Sequence, residues 1–270
     1  MTSRWKSRIG LAALTLLVLV SVLYPLLAPP PSASPTTWCP FGKAPGSSTA
    51  NVCDRTVSGM WISIAVGVLS SGIACGVGLA LALAARRFGR VVDEAISRAA
   101  DLFFAVPDVL VLIGIHIAAR QVEVTRGTSL SPFWMMVISL AVIGWAAPAR
   151  MIRNRLHSLE SQEFVAAAYA IGETRWQVLV RELLPFAREY VLAIFLLRVP
   201  ATILAESTVS FLGLGMPDSQ PSLGSFLGRN PQQMLAAPQV IVPAWILLVV
   251  IVVAFQWTGQ GLIARAEADA

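Results

Sequence analysis

Residues 158–185 read SLESQEFVAAAYAIGETRWQVLVRELLP. The stretch lies in the longest polar interval of a very apolar chain, so it separates what a membrane can hold from what it cannot. Glu160 and Glu163 open a short helical pattern, because acids suit the positive end of a helix. Phe164, Ala167, Ala168 and Ile171 recur at helical spacing and make one apolar stripe. Gly172 stands where a chain leaves a helix through a left-handed residue. Thr174-Arg175-Trp176-Gln177 has the pattern of a capping box that starts a second helix. Trp176, Leu179, Val180 and Leu183 are expected to share one face of it. Pro185 is expected to end it, since proline lacks the N–H and clashes with the preceding turn. Two short helices joined at a glycine, with a small-residue face, have two uses. Another protein can approach closely over the alanines, or the hairpin packs on its own membrane domain.

The remainder of the chain is built for a bilayer. Of 270 residues 56% are hydrophobic and 13% are charged, and the mean hydropathy is +0.71. Soluble domains do not have this balance. A spanning helix needs roughly 20 apolar residues, and six apolar runs meet or approach that length, at about 9–28, 58–85, 102–119, 133–149, 190–210 and 238–263. The expected fold class is therefore an all-α integral membrane protein with six transmembrane helices.

Charge gives the orientation. With a cytoplasmic N-terminus, fourteen of the twenty Lys and Arg fall in the inside segments, five in the outside loops, and Arg198 within a span. Lys and Arg concentrate in cytoplasmic loops, so both termini are expected in the cytoplasm. The basic balance is thus a topology signal. There is no basic patch with interleaved aromatics of the kind that binds nucleic acid.

Residues 1–28 have a basic start and a long apolar run. A cleaved signal peptide competes with an anchor helix, and the length of the run favours the anchor. Residues 29–57 are rich in Pro, Ser, Thr and Gly and read as an irregular external loop. Cys39 and Cys53 lie there, and in an oxidising compartment they can close a disulfide. Cys75, in the second run, reads as a small apolar residue. That run also holds Gly59, Gly67, Gly72, Gly76 and Gly78, which let helices approach closely, either as plain packing or as part of a translocation core. Asp101 and Asp108 flank Pro107 and are placed at the inner interface, with a pathway role as the alternative. His116 reads as a neutral histidine bonded to a neighbouring helix, or as a proton relay. Arg198 and Glu206 lie eight residues apart, about 12 Å along a helix, so each needs its own partner or a wet cavity. Pro200 between them is a candidate hinge. After Glu206 the chain runs through Ser210-Phe211-Leu212-Gly213-Leu214-Gly215. This reads as a helix end entering a glycine-rich external loop that can approach a ligand or simply turn back.

Two of these stretches carry a resemblance. Residues 158–185 resemble the EAA loop of ABC importer permeases: Ala167, Ala168, Gly172, Leu184 and Pro185 match in register. The pattern's glutamate falls on Ala166, and Glu163 fits an acidic position that precedes the motif in dipeptide and oligopeptide permeases. Residues 206–215 closely resemble the E-x-x-x-S-F-L-G-L-G signature of the same permeases. The first external loop keeps only Cys39-Pro40-Phe41-Gly42 of the family's pattern.

The resemblance, over roughly 58–265, implies a type I ABC importer permease fold, like that of the methionine importer permease. It implies a domain 58–265 with a cytoplasmic coupling loop at 158–185, preceded by an anchor helix and external loop at 1–57. It implies the C-like subunit of an importer of dipeptides or oligopeptides in a bacterial inner membrane. Its partners would be a homologous permease, two ATPase subunits and an extracytoplasmic solute-binding protein. Glu163, Ala167, Ala168, Gly172 and Pro185 would couple to the ATPase. Arg198, Glu206, Ser210, Phe211, Gly213 and Gly215 would serve the pathway or the binding-protein side. Nickel, glutathione or another small solute is the alternative cargo, and a membrane scaffold without transport is the alternative class.

No enzyme chemistry is expected. Lys6 and Lys43 are the only lysines, and neither lies in a phosphate-binding loop. ATP therefore belongs to another polypeptide, and the chain itself needs no cofactor. Two histidines, His116 and His157, do not make a multi-histidine metal site.

Overall fold

The computed structural model describes residues 2–27, 52–127, 131–217, 220–228 and 238–268. Among them all regular structure is helical. In chain order the helices are α1 (Thr2–Leu27), α2 (Val52–Phe88), α3 (Arg90–Ala105), α4 (Asp108–Arg126), α5 (Pro132–Gly144) and α6 (Ala146–Glu160). They continue with α7 (Glu163–Ala170), the short α8 (Arg175–Gln177), a π-helical turn (Val178–Leu183), α9 (Leu184–Phe211), α10 (Leu223–Gly228) and α11 (Pro238–Ala268).

Three helical stretches are long and apolar enough to cross a membrane, Thr56–Phe88, Arg175–Phe211 and Ile241–Arg265, and five if each of two bent pairs is one span. The described apolar part of α1, Arg8–Leu17, is shorter than a span. The third and fourth expected runs are the bent ones. Between α3 and α4 the axis turns by 84°. Val106 is extended (φ −113°, ψ 133°), as the residue before a proline is driven to be, and Pro107 then caps α4. The run 102–119 is therefore not one straight span. Between α5 and α6 the axis bends by 43°. Pro148 follows Gly144 by four residues, so its ring opposes the carbonyl that would continue the ladder. Pro200, in contrast, lies inside an unbroken α9.

Helices α2 and α9 are the axis of the packing. Met60 and Ile64 of α2 meet Val199 and Ile203 of α9 beneath α10 and α11. Val66 and Val209 pack with Leu112 of α4 and Met136 and Leu140 of α5. Cys75 and Ala82 meet Ala187 and Ile194 beside α6 and the 163–183 segment. Helix α1 lies on α11, with Leu17 in the first of these clusters. Close approach depends on absent side chains. Gly78 sits on the backbone of Pro148 and Ala149, Gly67 on Ile203 and Gly59 on Ser222, whereas Gly76 meets nothing within 4 Å.

The outer surface is apolar. Leu69, Ile73 and Val77 of α2, and Trp245, Ile246 and Val249 of α11, are each at least 40% exposed. Water would penalise such a band, and lipid or a partner helix removes that cost.

Candidate functional site

The expected site residues fall into two groups, at opposite ends of α9. The first group is the 158–185 segment. Glu160 does not open a helix but ends α6, where its Oε2 accepts from Arg86 Nη1 at 2.9 Å and lies 3.6 Å from His157 Nδ1. Glu163 is in the first turn of α7, as its charge favours. That helix rests on Val165 and Ala168, which are buried, while Phe164 stacks on Phe186 with centroids 4.8 Å apart. Ala166, Ala167 and Ala170 are exposed, and Ile171 is 80% exposed. The expected stripe Phe164–Ala167–Ala168–Ile171 is thus split, because the turn that follows swings Ile171 away from the core.

Gly172 makes that turn with φ +93°. Its N–H donates to Tyr169 O at 3.0 Å, and Glu173 N–H donates to Ala168 O at 3.1 Å. Together these bonds form a Schellman closure. The capping box follows: Thr174 N–H donates to Gln177 Oε1 at 2.8 Å, and Gln177 N–H donates to Thr174 Oγ1 at 3.4 Å. Beyond it Val178, Leu179 and Leu183 are buried while Trp176 and Val180 face outward. The four residues expected on one face therefore divide, because the π turn is wider than an α turn and shifts the register. Pro185 does not end the helix. It occupies the first turn of α9, directly after the π turn, and the helical path continues through it.

The second group surrounds Glu206, which is fully buried. Its carboxylate accepts from Ser63 Oγ at 3.1 Å, Ser207 Oγ at 3.3 Å and Ser210 Oγ at 2.7 Å. Those hydroxyls in turn take backbone donors: Leu223 N–H reaches Ser63 Oγ at 3.2 Å and Met216 N–H reaches Ser210 Oγ at 3.3 Å. One carboxylate thus fastens α2, α9 and the start of α10 together. The fit is close, since a Cβ on Gly215, Gly224 or Gly228 would collide with Ser210, Ser207 or Phe211 respectively. Helix α9 ends as α7 does. Gly213 (φ +77°) donates to Ser210 O at 3.0 Å and Leu214 N–H donates to Val209 O at 3.1 Å. Phe211 is 44% exposed beside it, and Gly213 O accepts from Arg120 Nη2 at 2.9 Å.

Arg198 does not join this group. Its half-buried guanidinium lies against Gly144 at the end of α5, and its Nε has no hydrogen-bond partner among the described residues. Asp108, at the start of α4, interacts with it through space, while Asp101 pairs with Arg150. His116 bonds its own helix, Nδ1 to Leu112 O at 2.9 Å, rather than a neighbouring one. The Cys39–Cys53 pairing lies outside the described residues. Sequence reasoning missed Ser63, which lies 143 residues from the carboxylate it serves. Nothing in its neighbourhood marks it off from Ser58 or Ser70.

Comparison with known proteins gives the family and the fold. A family model described as "Binding-protein-dependent transport system inner membrane component" matches residues 72–263. The chain is 27% identical over 212 residues to the glutathione transport system permease protein GsiD of Pectobacterium atrosepticum, covering 78% of this chain and 67% of that one. It is 28% identical over 208 residues to the oligopeptide transport system permease protein OppC of Mycobacterium bovis, covering 77% and 69%. Among solved structures it matches a chain of the MetNI methionine ABC transporter in an inward-facing conformation, with TM-score 0.59, 22% identity and coverage of 79% and 97%. It also matches a chain of an amino acid ABC transporter with histidines, with TM-score 0.57, 17% identity and coverage of 81% and 95%. These last two establish the fold, which is that of a type I ABC importer permease.

Proposed function

The chain belongs to the binding-protein-dependent transport system inner membrane components, as a permease subunit of an ABC importer and not an enzyme, and from that premise we propose that it carries dipeptides or oligopeptides, glutathione-like peptides among them. Two relatives named for glutathione and oligopeptide transport support the cargo. The division stays as read from the sequence, with 1–57 as anchor and external loop and 58–265 as permease domain. Both termini and the 158–185 segment face the cytoplasm, on the strength of the Lys and Arg asymmetry.

The observation that carries the mechanism is the outward face of α7. Ala166, Ala167, Ala170 and Ile171 form an apolar surface of small side chains ended by Gly172. We assign it as the contact for an ATPase subunit, with Glu163 at its entry and Pro185 at the start of α9. ATP binding and hydrolysis on the partners then bias this permease and its homologous partner between inward- and outward-facing states, through a differential affinity for the two. At the other end Glu206 and Ser210 hold the turn at 211–215, and Phe211 and Gly213 present it toward the solute-binding protein. Arg198 faces the α5–α6 bend on the pathway side.

The test is co-purification of the full chain with candidate ATPase subunits, wild type against Gly172→Pro. Proline cannot adopt φ +93°, so the variant should lose the ATPase while the membrane domain keeps its elution volume. Equal capture by both proteins sinks the coupling assignment. Competition for uptake by a dipeptide, an oligopeptide and glutathione then fixes the cargo. Indifference to all three removes the peptide reading.

A further inference from the structure

A cleft of about 720 Å³ opens between the end of α2, the start of α3 and the 160–183 segment. Arg86, Arg87, Arg90 and Arg175 line it, against two carboxylates, Asp93 and Glu160. Both carboxylates are committed. Glu160 takes Arg86 at 2.9 Å, and Asp93 takes Arg153 from α6 at 2.7 Å. Arg87 lies 6.0 Å from the Trp176 ring centroid, and Arg90 and Arg175 have no ion pair among the described residues. Arg86 Nε is buried and has no hydrogen-bond partner among the described residues. Three cations without a carboxylate and one unused buried donor thus converge on one space.

The depth of the cleft identifies what the cations meet. Residues 56–85 of α2 carry no charge, and at 1.5 Å per residue they span roughly 45 Å. A bilayer with both headgroup layers is about 40–45 Å thick. Arg86 to Arg90 therefore stand at the headgroup level. Phe88, 70% exposed, and Val91, 81% exposed, flank them as apolar side chains that acyl chains can cover. Guanidinium groups bind phosphate oxygens in bidentate fashion, and basic pockets beside membrane helices on the cytoplasmic side take anionic lipid headgroups.

We propose that this cleft is a binding site for the phosphate headgroup of an anionic phospholipid of the inner leaflet. The site rests on the cytoplasmic orientation proposed above. It places lipid between the end of α2 and the 169–176 turn, behind the face assigned to the ATPase. A bound headgroup bridges α3 to that turn, so leaflet charge sets how firmly the turn is held.

The full chain, purified in neutral detergent and reconstituted into nanodiscs of phosphatidylcholine with phosphatidylglycerol, tests this by native mass spectrometry of the retained lipid. Wild type should retain phosphatidylglycerol over phosphatidylcholine. Arg90→Gln with Arg175→Gln should lower that retention about five-fold at unchanged elution volume. Arg90→Lys with Arg175→Lys, which keeps both charges, should restore most of it and guards against a folding defect. Inorganic phosphate at millimolar concentration is the second arm. If it displaces the lipid and the acyl chains add no affinity, the ligand is a free anion and the proposal fails. Unchanged retention in the glutamine variant overturns it too, as does crosslinking of Arg90 or Arg175 positions to an acidic segment of the ATPase with lipid unaffected. Lipid retention needs no ATPase. Loss of co-purification with retained lipid therefore indicts the coupling reading alone.

Discussion

Helices α7 and α9 end in the same backbone device and set it in opposite surroundings. Each closes on a left-handed glycine, Gly172 or Gly213, with the same pair of carbonyl bonds. Around Gly172 the neighbours Ala167, Ala170 and Ile171 are left bare. Next to Gly213 the chain folds back onto Glu206, whose carboxylate is satisfied by serines from α2 and α9. The first ending leaves small apolar side chains exposed, and the second is closed by contacts within the chain. Local sequence determines how a helix stops, and the surroundings determine whether the stop is a surface or a joint.

The largest effect should come from breaking the joint. Glu206→Leu leaves three buried hydroxyls without their acceptor and should cost about 3 kcal/mol, read as a lower unfolding midpoint in detergent. Glu206→Gln keeps an acceptor and should cost less than half as much. An unchanged midpoint for the leucine variant would remove the carboxylate from its structural role. Next in size is a pair on α7. Ala168→Trp forces bulk into a buried site and should cost about 2 kcal/mol. Ala167→Trp, one residue away and exposed, should leave the midpoint in place yet abolish ATPase capture. If both behave alike, the outward face of α7 is not a docking surface.

A smaller effect compares the two glycines directly. Gly172→Ala and Gly213→Ala each place a Cβ in the left-handed region, at about 1–2 kcal/mol, and should lower the midpoint equally. Only the first should weaken ATPase capture. The smallest is Thr174→Ala, which removes the cap at about 1 kcal/mol. It should appear as faster hydrogen exchange at 175–178, with the global midpoint nearly unmoved.

What could be read in advance divides along the same line. The Gly172 turn, the Thr174–Gln177 capping box and the glycine-ended α9 follow from residues within a turn of one another, and they are where the sequence puts them. Pro185 has two local readings, the end of one helix or the start of the next. Only the π turn before it, itself set by burial of Val178, Leu179 and Leu183, selects the second. The bend at Pro107 is likewise visible as a proline, yet hydropathy alone draws a straight run through it. Ser63 beside Glu206 and the arginines gathered with Arg175 are tertiary facts. No periodicity along the chain connects residues 63 and 206, or 90 and 175.

One further consequence follows from the continuity of α9. Its 28 residues, Leu184–Phe211, run as one helix from the π turn to Gly213, with Pro200 in its interior, over about 42 Å. Taken as straight, that length turns a tilt of about 5° at Leu184 into a displacement of about 4 Å at Phe211, and the carbonyl that Pro200 leaves without an N–H donor is where α9 can give instead. Glu206 ties the far end to α2 and α10, so the part of the sweep that passes Pro200 moves the three elements together.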